Sequence, residues 1–500
     1  MDSGSFFKIP KLEDYNISPQ TGFIPNEYPL ERLSQDYYQP WENLMDNLPS
    51  LILSKKIRKI IDNKLPVLST EYLSNTREFR RAYTILAFLT HAYVWAFNEN
   101  PVDTLPQQIS VPFVKISNVL ELPPVATYAS VCLWNFKPII KDINASDKNV
   151  IKDDLDIDDI CTINTFSGSI DESWFYLVSV IFEIKGGHCL SDGLNAIRCA
   201  KAHDFKNLIY CLQKLAESID KLGSILMKML EMCDPHTFYF RIRPFLAGWK
   251  NMKEFGLNKD GLNYGTDTKP DIRSYAGGSN AQSTLIQALD IILNVEHHPT
   301  GKRPSYNNHS LSKSLPPKPI ANKNQKDDGN NFIIEMRKYM PGPHRRFLED
   351  LSKINIIQSV VLENSKNHPE LALSYDACVA MLKAFRDKHI QIVTRYIILQ
   401  ARLSQNGGSL SKPGSVKTLR VGLASKSTLE EKGTGGTSLL PFLKQCRDET
   451  GDSAAGSWGR RILSSGVQSL KYTTEKLSAG EIKKRNKQNW GEKENAAGHW

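Results

Sequence analysis

Apolar residues recur in steps of three and four along most of this chain. The clearest case runs from Ser374 to Leu403, a stretch without glycine or proline. Cys378, Leu382, Phe385, His389, Ile392 and Tyr396 follow one another at alternating steps of four and three. That period places all six on one face of an α-helix. The spacing therefore predicts a long helix with a buried stripe, and it puts His389 in the middle of that stripe. Arg386 lies about one turn before it.

Similar patterns recur elsewhere. Helices are predicted in WENLMDNLPSLILSKKIRKIIDN and TREFRRAYTILAFLTHAYVWAF, between residues 41 and 97. Others follow in SWFYLVSVIFEIKGG, LNAIRCAKAHDFKNLIYCLQKLAESIDKLGSILMKMLEMC, FYFRIRPFLAGWK, QSTLIQALDIILNV and FIIEMRKYM. No alternating run of β-branched residues is long enough for a sheet core. The expected fold is mostly α. Residues 1–40 read as an extended, wrapping segment. A small helical domain is expected over 41–159, ending after an acidic loop, and a large one over 160–450. Residues 299–331 have the composition of a disordered insertion, 404–432 of a flexible loop, and 451–500 of a polar, disordered tail.

Composition narrows the function classes. Of 500 residues 40% are apolar, enough for a sizeable core. None of the 8 cysteines forms a CxxC pair, which argues against zinc knuckles and thioredoxin chemistry. The start, MDSGSFFKIPKLEDY, lacks the basic and apolar regions of a secretory signal, and scattered free cysteines suit a reducing cytosol. A cytoplasmic protein is expected. The most apolar stretch, Ala82–Phe97, is shorter than a bilayer span, so no membrane partner is expected. The formal charge is +9, but most of it sits in 299–331 and 451–500. A folded nucleic-acid binder would carry it on a basic face, so no nucleic-acid partner is expected.

Three stretches and the central histidine bear candidate chemistry. A histidine in an apolar stripe is either a core residue with satisfied ring nitrogens or a ligand to a haem iron. Arg241 and Arg243 interleave with aromatic residues in FYFRIRPFLAGWK. Arg243, followed by Pro244, marks a bend where a guanidinium could hold a substrate carboxylate, although on local evidence an amphipathic helix with surface arginines is the default reading. In YAGGSNAQ two glycines permit close backbone approach, and Ser279 is placed to cap a helix. KGTGGTSLL is glycine-rich but lacks P-loop spacing, so a nucleotide site is weakly supported; Thr434 and Thr437 offer hydroxyls to a substrate. There is no HExxH, GxSxG or EF-hand loop.

Taken in chain order, these stretches resemble the indoleamine 2,3-dioxygenase family, and its fungal members in particular. The resemblance rests on LTHAYVW (89–95), LELPPVATYA (120–129), FYLVSVIFEI (175–184), RIRPFLAGWK (241–250), AGGSNAQS (276–283), MRKYMPGPHRRFL (336–348), YDACVAMLKAFRDKHIQIVTRYI (375–397) and KGTGGTSLLPFLK (432–444). It covers most of residues 40–450.

The resemblance implies a two-domain helical fold with a small N-terminal and a large C-terminal domain that binds haem b, ferrous when active. It implies insertion of both atoms of O2 across the indole C2–C3 bond of L-tryptophan. The product is N-formyl-L-kynurenine, on the route to NAD. It also implies an unidentified reductant and a monomer. By position, His389 matches the proximal iron ligand and Arg386 the arginine at a haem propionate. Phe238 and Arg243 match the pair that packs on the indole and holds the carboxylate. Tyr128, Phe175, Tyr176 and Ser179 match distal-pocket positions. Gly278 and Ser279 match the glycine-rich wall beside the haem, and Thr434 the threonine of a mobile loop. Ala247, Asn280, Tyr176 and the Val131–Cys132 pair depart from the commoner residues, and substrate choice among indoleamines is expected to be set there. A haem-binding paralogue with low turnover, acting as a haem or gas sensor, is the alternative.

Overall fold

The computed structural model describes residues 8–96, 99–140, 150–304, 331–406, 433–434 and 438–464. Most of the expected insertion, loop and tail lies outside the described residues. The fold is mostly α. Its main helices are α1 (Thr76–Trp95), α2 (Gln107–Leu120), α3 (Ile170–Lys201), α4 (Phe205–Met227), α5 (Thr284–Ile292), α6 (Gly342–Ile354), α7 (Pro369–Val393) and α8 (Leu439–Asp452). Among the described residues, named strands form only two short antiparallel pairs. Phe136–Pro138 pairs with Ile160–Thr162, Lys137 facing Cys161, and Leu262–Asn263 pairs with Ile272–Arg273.

Two apolar cores organise these helices. The first gathers around α1, which is buried on every side from Arg81 to Trp95. A helix apolar all round belongs in an interior. Its start is set by Asn75, whose side chain accepts from the Glu78 amide at 3.0 Å. Its one deeply buried cation, Arg81, is paired with Glu42 at 2.5 Å and also donates to Asn164 at 2.6 Å. Trp41, Phe113, Trp134, Ile181 and Trp249 complete this core, so it draws on both sides of residue 159. The second packs α4, α6 and α7 through Leu212, Leu215, Ile219, Phe347, Cys378 and Leu382.

Helix α3 runs through both cores: Tyr176–Ile181 and Ile184 face the first, Phe182 and Cys189–Ala200 the second. Gly187 lets the N-terminal segment lie against it. A Cβ there would meet the Gln20 carbonyl oxygen at 2.3 Å, closer than any side chain tolerates. The stripe on α7 is divided in the same way. Cys378 and Leu382 lie in the second core, Ile392 and Tyr396 in the first, and His389 comes between them.

The helix predicted over 374–403 begins earlier, at Pro369, where a proline at the first turn costs no hydrogen bond. Near its end the winding widens to a π-helix over Thr394–Ile398 before α-geometry resumes over Leu399–Asn406. Residues 451–464, placed in the polar tail by composition, are helical through Asp452 and again over Ser457–Ser464. Packing explains the first part, because Thr450, Ser453 and Ala454 are buried.

Candidate active site

A cavity lies between the first core, α7 and α8. It brings together Tyr128, Phe175, Ser179, Phe238, Arg243, Gly278, Ser279, His389 and Thr434, which are far apart in the chain. Val131, Leu226, Leu246, Phe332, Ile392, Val393, Phe442 and Leu443 supply much of the remaining wall. The described residues contain three π-helical segments, Ala129–Leu133, Phe238–Ile242 and Thr394–Ile398. Each gives residues to this cavity. Such wide turns cost helix geometry and recur at functional sites.

The aromatic wall is held by edge contacts. Phe175 and Phe238 have ring centroids 5.0 Å apart, and Phe238 meets Tyr396 at 5.6 Å and 85°. Tyr396 is fixed in turn by donating to the carbonyls of Met229 (2.9 Å) and Cys233 (2.6 Å). Arg243 is 1% exposed, and its guanidinium carbon lies 5.0 Å from the Tyr239 ring centroid. The segment after it is locked to the glycine-rich wall. A Cβ on Gly248 would strike the Gly277 nitrogen at 2.4 Å, so the two chains touch only because both residues are glycine. Ser279 caps the next turn by accepting from the Ala281 amide at 3.3 Å. Thr434 is docked on the same wall: its hydroxyl donates to the Gly278 carbonyl at 2.9 Å.

His389 stands apart from these satisfied groups. Its ring lines the cavity, and among the described residues neither ring nitrogen has a hydrogen-bond or ion-pair partner. Burial, with the Arg386 charge behind it, brings the imidazole down to about 4, so it is neutral at physiological pH. A neutral imidazole with a free lone pair is what an iron ligand requires. The cavity walls fit a flat apolar cofactor, and Gly278 leaves open space: a Cβ there would meet nothing closer than 3.7 Å. The residues present therefore fit a haem held by His389.

Two residues expected at the site are placed elsewhere. Arg386 is not part of the cavity wall. Its guanidinium donates to both carboxylate oxygens of Asp290 (2.7 and 2.8 Å), to the Cys446 carbonyl at 3.2 Å and to the Thr450 hydroxyl. Tyr176 is also absent from the wall. Its hydroxyl donates to Glu172 at 3.0 Å, and Glu172 accepts as well from the Phe166 and Ser167 amides at 2.7 Å. Consecutive helical residues point about 100° apart, so Phe175 faces the cavity while Tyr176 faces α3's other neighbours.

Two groups were not singled out from the sequence. Glu183, in the apolar run 175–184, is buried behind Tyr128. It accepts from Ser283 at 2.6 Å, and burial pushes its carboxyl up to about 7. A carboxylate in an otherwise apolar helical run was the available signal. The other is His297, which bridges Asp290 (3.1 Å) and Glu449 (2.7 Å). Burial opposes its charge, but Asp290 and Glu449 hold it protonated well above the ordinary histidine range. His297, Cys446 and Glu449 also have ligand atoms within 4.8 Å of one another. Ion pairing accounts for that cluster: two cations, Arg386 and His297, face two carboxylates. No sequence motif links these residues, which come from four separate stretches.

The fold and cavity define a mostly helical protein with a deep apolar pocket and one unpartnered imidazole in its wall. The family profile described as Indoleamine 2,3-dioxygenase matches residues 11–453. The chain belongs to the indoleamine 2,3-dioxygenase family, and so to the haem-dependent oxidoreductases. It is 43% identical to the indoleamine 2,3-dioxygenase of Saccharomyces cerevisiae, over 88% of this chain and 93% of that protein. It is 32% identical to a 6-hydroxytryptophan 2,3-dioxygenase of Fusarium equiseti (90% and 99% covered) and 32% identical to human indoleamine 2,3-dioxygenase 2 (88% and 95%). Among the described residues no helix is long and apolar enough to cross a membrane.

Proposed function

We propose that this chain cleaves the indole C2–C3 bond of L-tryptophan with O2, placing both oxygen atoms in N-formyl-L-kynurenine. Haem b, held ferrous by a separate reductant, supplies the chemistry that activates O2. The observation that carries this reading is the neutral, unpartnered His389 imidazole in the wall of a large apolar cavity that also contains the buried Arg243.

The residues divide the remaining work. His389 provides the ligand nitrogen. Phe175, Phe238 and Val131 form an apolar surface on which an indole ring can lie. The Arg243 guanidinium is the cation in the wall and would hold the amino-acid carboxylate. Thr434, docked on Gly278, sits where its backbone and hydroxyl can meet the same end of the substrate. Together these contacts orient one bond of the ring, which is the main contribution a protein makes when the cofactor performs the reaction. Ser179 and Tyr128 add polar groups to the same wall. No acid or base from the chain is needed to balance the reaction, because tryptophan and O2 contain every atom of the product. Arg386 acts at a distance: anchored to Asp290, it fixes the helix that presents His389. The product would enter the route from kynurenine to NAD, in the cytoplasm. The Fusarium relative shows that substituted tryptophans are used within the family, so Ala247, Asn280 and the Val131–Cys132 pair are where substrate choice is to be sought.

The test is direct. The full chain is expressed with haem supplied, reduced, and given O2 and L-tryptophan while formylkynurenine is followed. Product formation coupled to a Soret band supports the reading. A Soret band with no product from tryptophan or its ring-hydroxylated forms would favour a sensor, and no Soret band would remove both.

A further inference from the structure

A second cleft, separate from the active-site cavity, lies between the N-terminal segment Pro25–Leu30, the first turns of α1 and Trp134. It shares no lining residue with the active-site cavity. Its charged groups are three arginines and Glu27. Arg81 is fully engaged with Glu42 and Asn164. Arg77 pairs with Glu27 at 2.8 Å and donates to the Tyr28 carbonyl at 2.8 Å, while its Nε is buried without a partner. Arg80 has no carboxylate or carbonyl partner among the described residues. Its guanidinium carbon lies 5.3 Å from the Trp134 ring centroid, which places the charge at the cleft wall. Burial, reinforced by Arg77, pulls the Arg80 guanidinium down to about 10, so its charge is held at a cost here.

A half-buried cation beside a second cation, with donors left open, lacks an anion. We infer that this cleft binds a small molecule bearing an oxyanion, a carboxylate or a phosphoryl group, through the Arg80 and Arg77 guanidinium groups. Pro25, Pro29, Leu30 and Trp134 supply apolar lining for the rest of the ligand. Glu27 competes with the ligand for Arg77. Through Trp134 the cleft adjoins the π-helical segment Ala129–Leu133, whose Val131 and Cys132 line the active-site cavity. A ligand bound there would lie against Trp134, the residue that follows this segment, and would act on the active site as an effector.

The haem-loaded full chain is titrated calorimetrically with inorganic phosphate and, separately, with benzoate in low-salt buffer. At least one probe should bind saturably. Arg80→Met, which keeps an unbranched side chain against Trp134, should weaken that binding about tenfold or more, the effect of a lost charge-assisted contact. Glu27→Gln should tighten it by freeing Arg77. Phosphate alone would assign a phosphoryl ligand and benzoate alone a carboxylate. Binding of neither probe, or binding unchanged in Arg80→Met, overturns the inference. If Arg80→Met does not fold, Glu27→Gln decides: tighter binding supports the site and unchanged affinity overturns it.

Discussion

His389 and Arg386 lie three residues apart on one helix and meet opposite surroundings. Arg386 reaches into a cluster where every charge has a counter-charge: it donates to Asp290, and His297 in turn bridges Asp290 and Glu449. His389 faces an apolar cavity with no partner among the described residues. The first environment is complete in the protein alone. The second is completed only by something bound. A neutral imidazole that faces a cavity without a protein partner is available to a bound group. The saturated cluster one turn away is what keeps the helix, and with it the imidazole, in place.

Breaking the saturated side should have the largest effect on stability. Asp290→Ala leaves Arg386 and His297 buried as like charges. It should cost about 3–5 kcal/mol, read as a lower denaturation midpoint with an unchanged slope. A cost below about 1 kcal/mol would show that the cluster is not the anchor described here. On the cavity side the comparison predicts the reverse, a loss of function without a loss of fold. Arg243→Ala should remove a charge-assisted contact to the substrate, about 1.5–3 kcal/mol, or one to two decades in kcat/KM for tryptophan. An unchanged kcat/KM would remove Arg243 from the carboxylate.

The pH dependence separates the two sides more finely. His297 is held protonated above its ordinary value, so its contribution to stability is complete below about pH 6.5 and is lost as the pH rises through its folded value. Asp290 is held below its ordinary value. Its contribution is present above about pH 4 and is lost as the pH falls through the folded value. The cluster is therefore strongest from weakly acidic to neutral pH. In His297→Gln the alkaline decline in thermal stability should flatten. A wild-type decline of the same slope in that variant would place its cause elsewhere.

Much of this was legible in the chain, for identifiable reasons. The three-and-four spacing around His389 placed the histidine on a buried stripe, because helical period is a local property. The stretches holding Phe238, Arg243, Gly278 and Thr434 were recognisable as unusual, and the fold brings them to one cavity. What spacing could not reveal was which way Arg386 points, because its partners Asp290, His297 and Thr450 lie far away in the chain. The hydroxyl of Tyr176 was expected in the pocket and is instead held by Glu172, one turn earlier on the same helix, because Tyr176 faces away from the cavity. The three π-helical turns carry no composition of their own. They arise where a wall must bend around a cavity, which is a tertiary demand. The helix at 457–464 escaped because its neighbours are polar and basic.

The most direct measurement is the haem content of His389→Ala, compared with the unaltered chain after expression with haem supplied. The unaltered chain should hold about one haem per chain and show a Soret band. The variant should fold, with its Arg386–Asp290 anchor intact, yet lose stoichiometric haem. Normal haem retention with an unchanged Soret band in His389→Ala would contradict the assignment of His389 as the iron ligand.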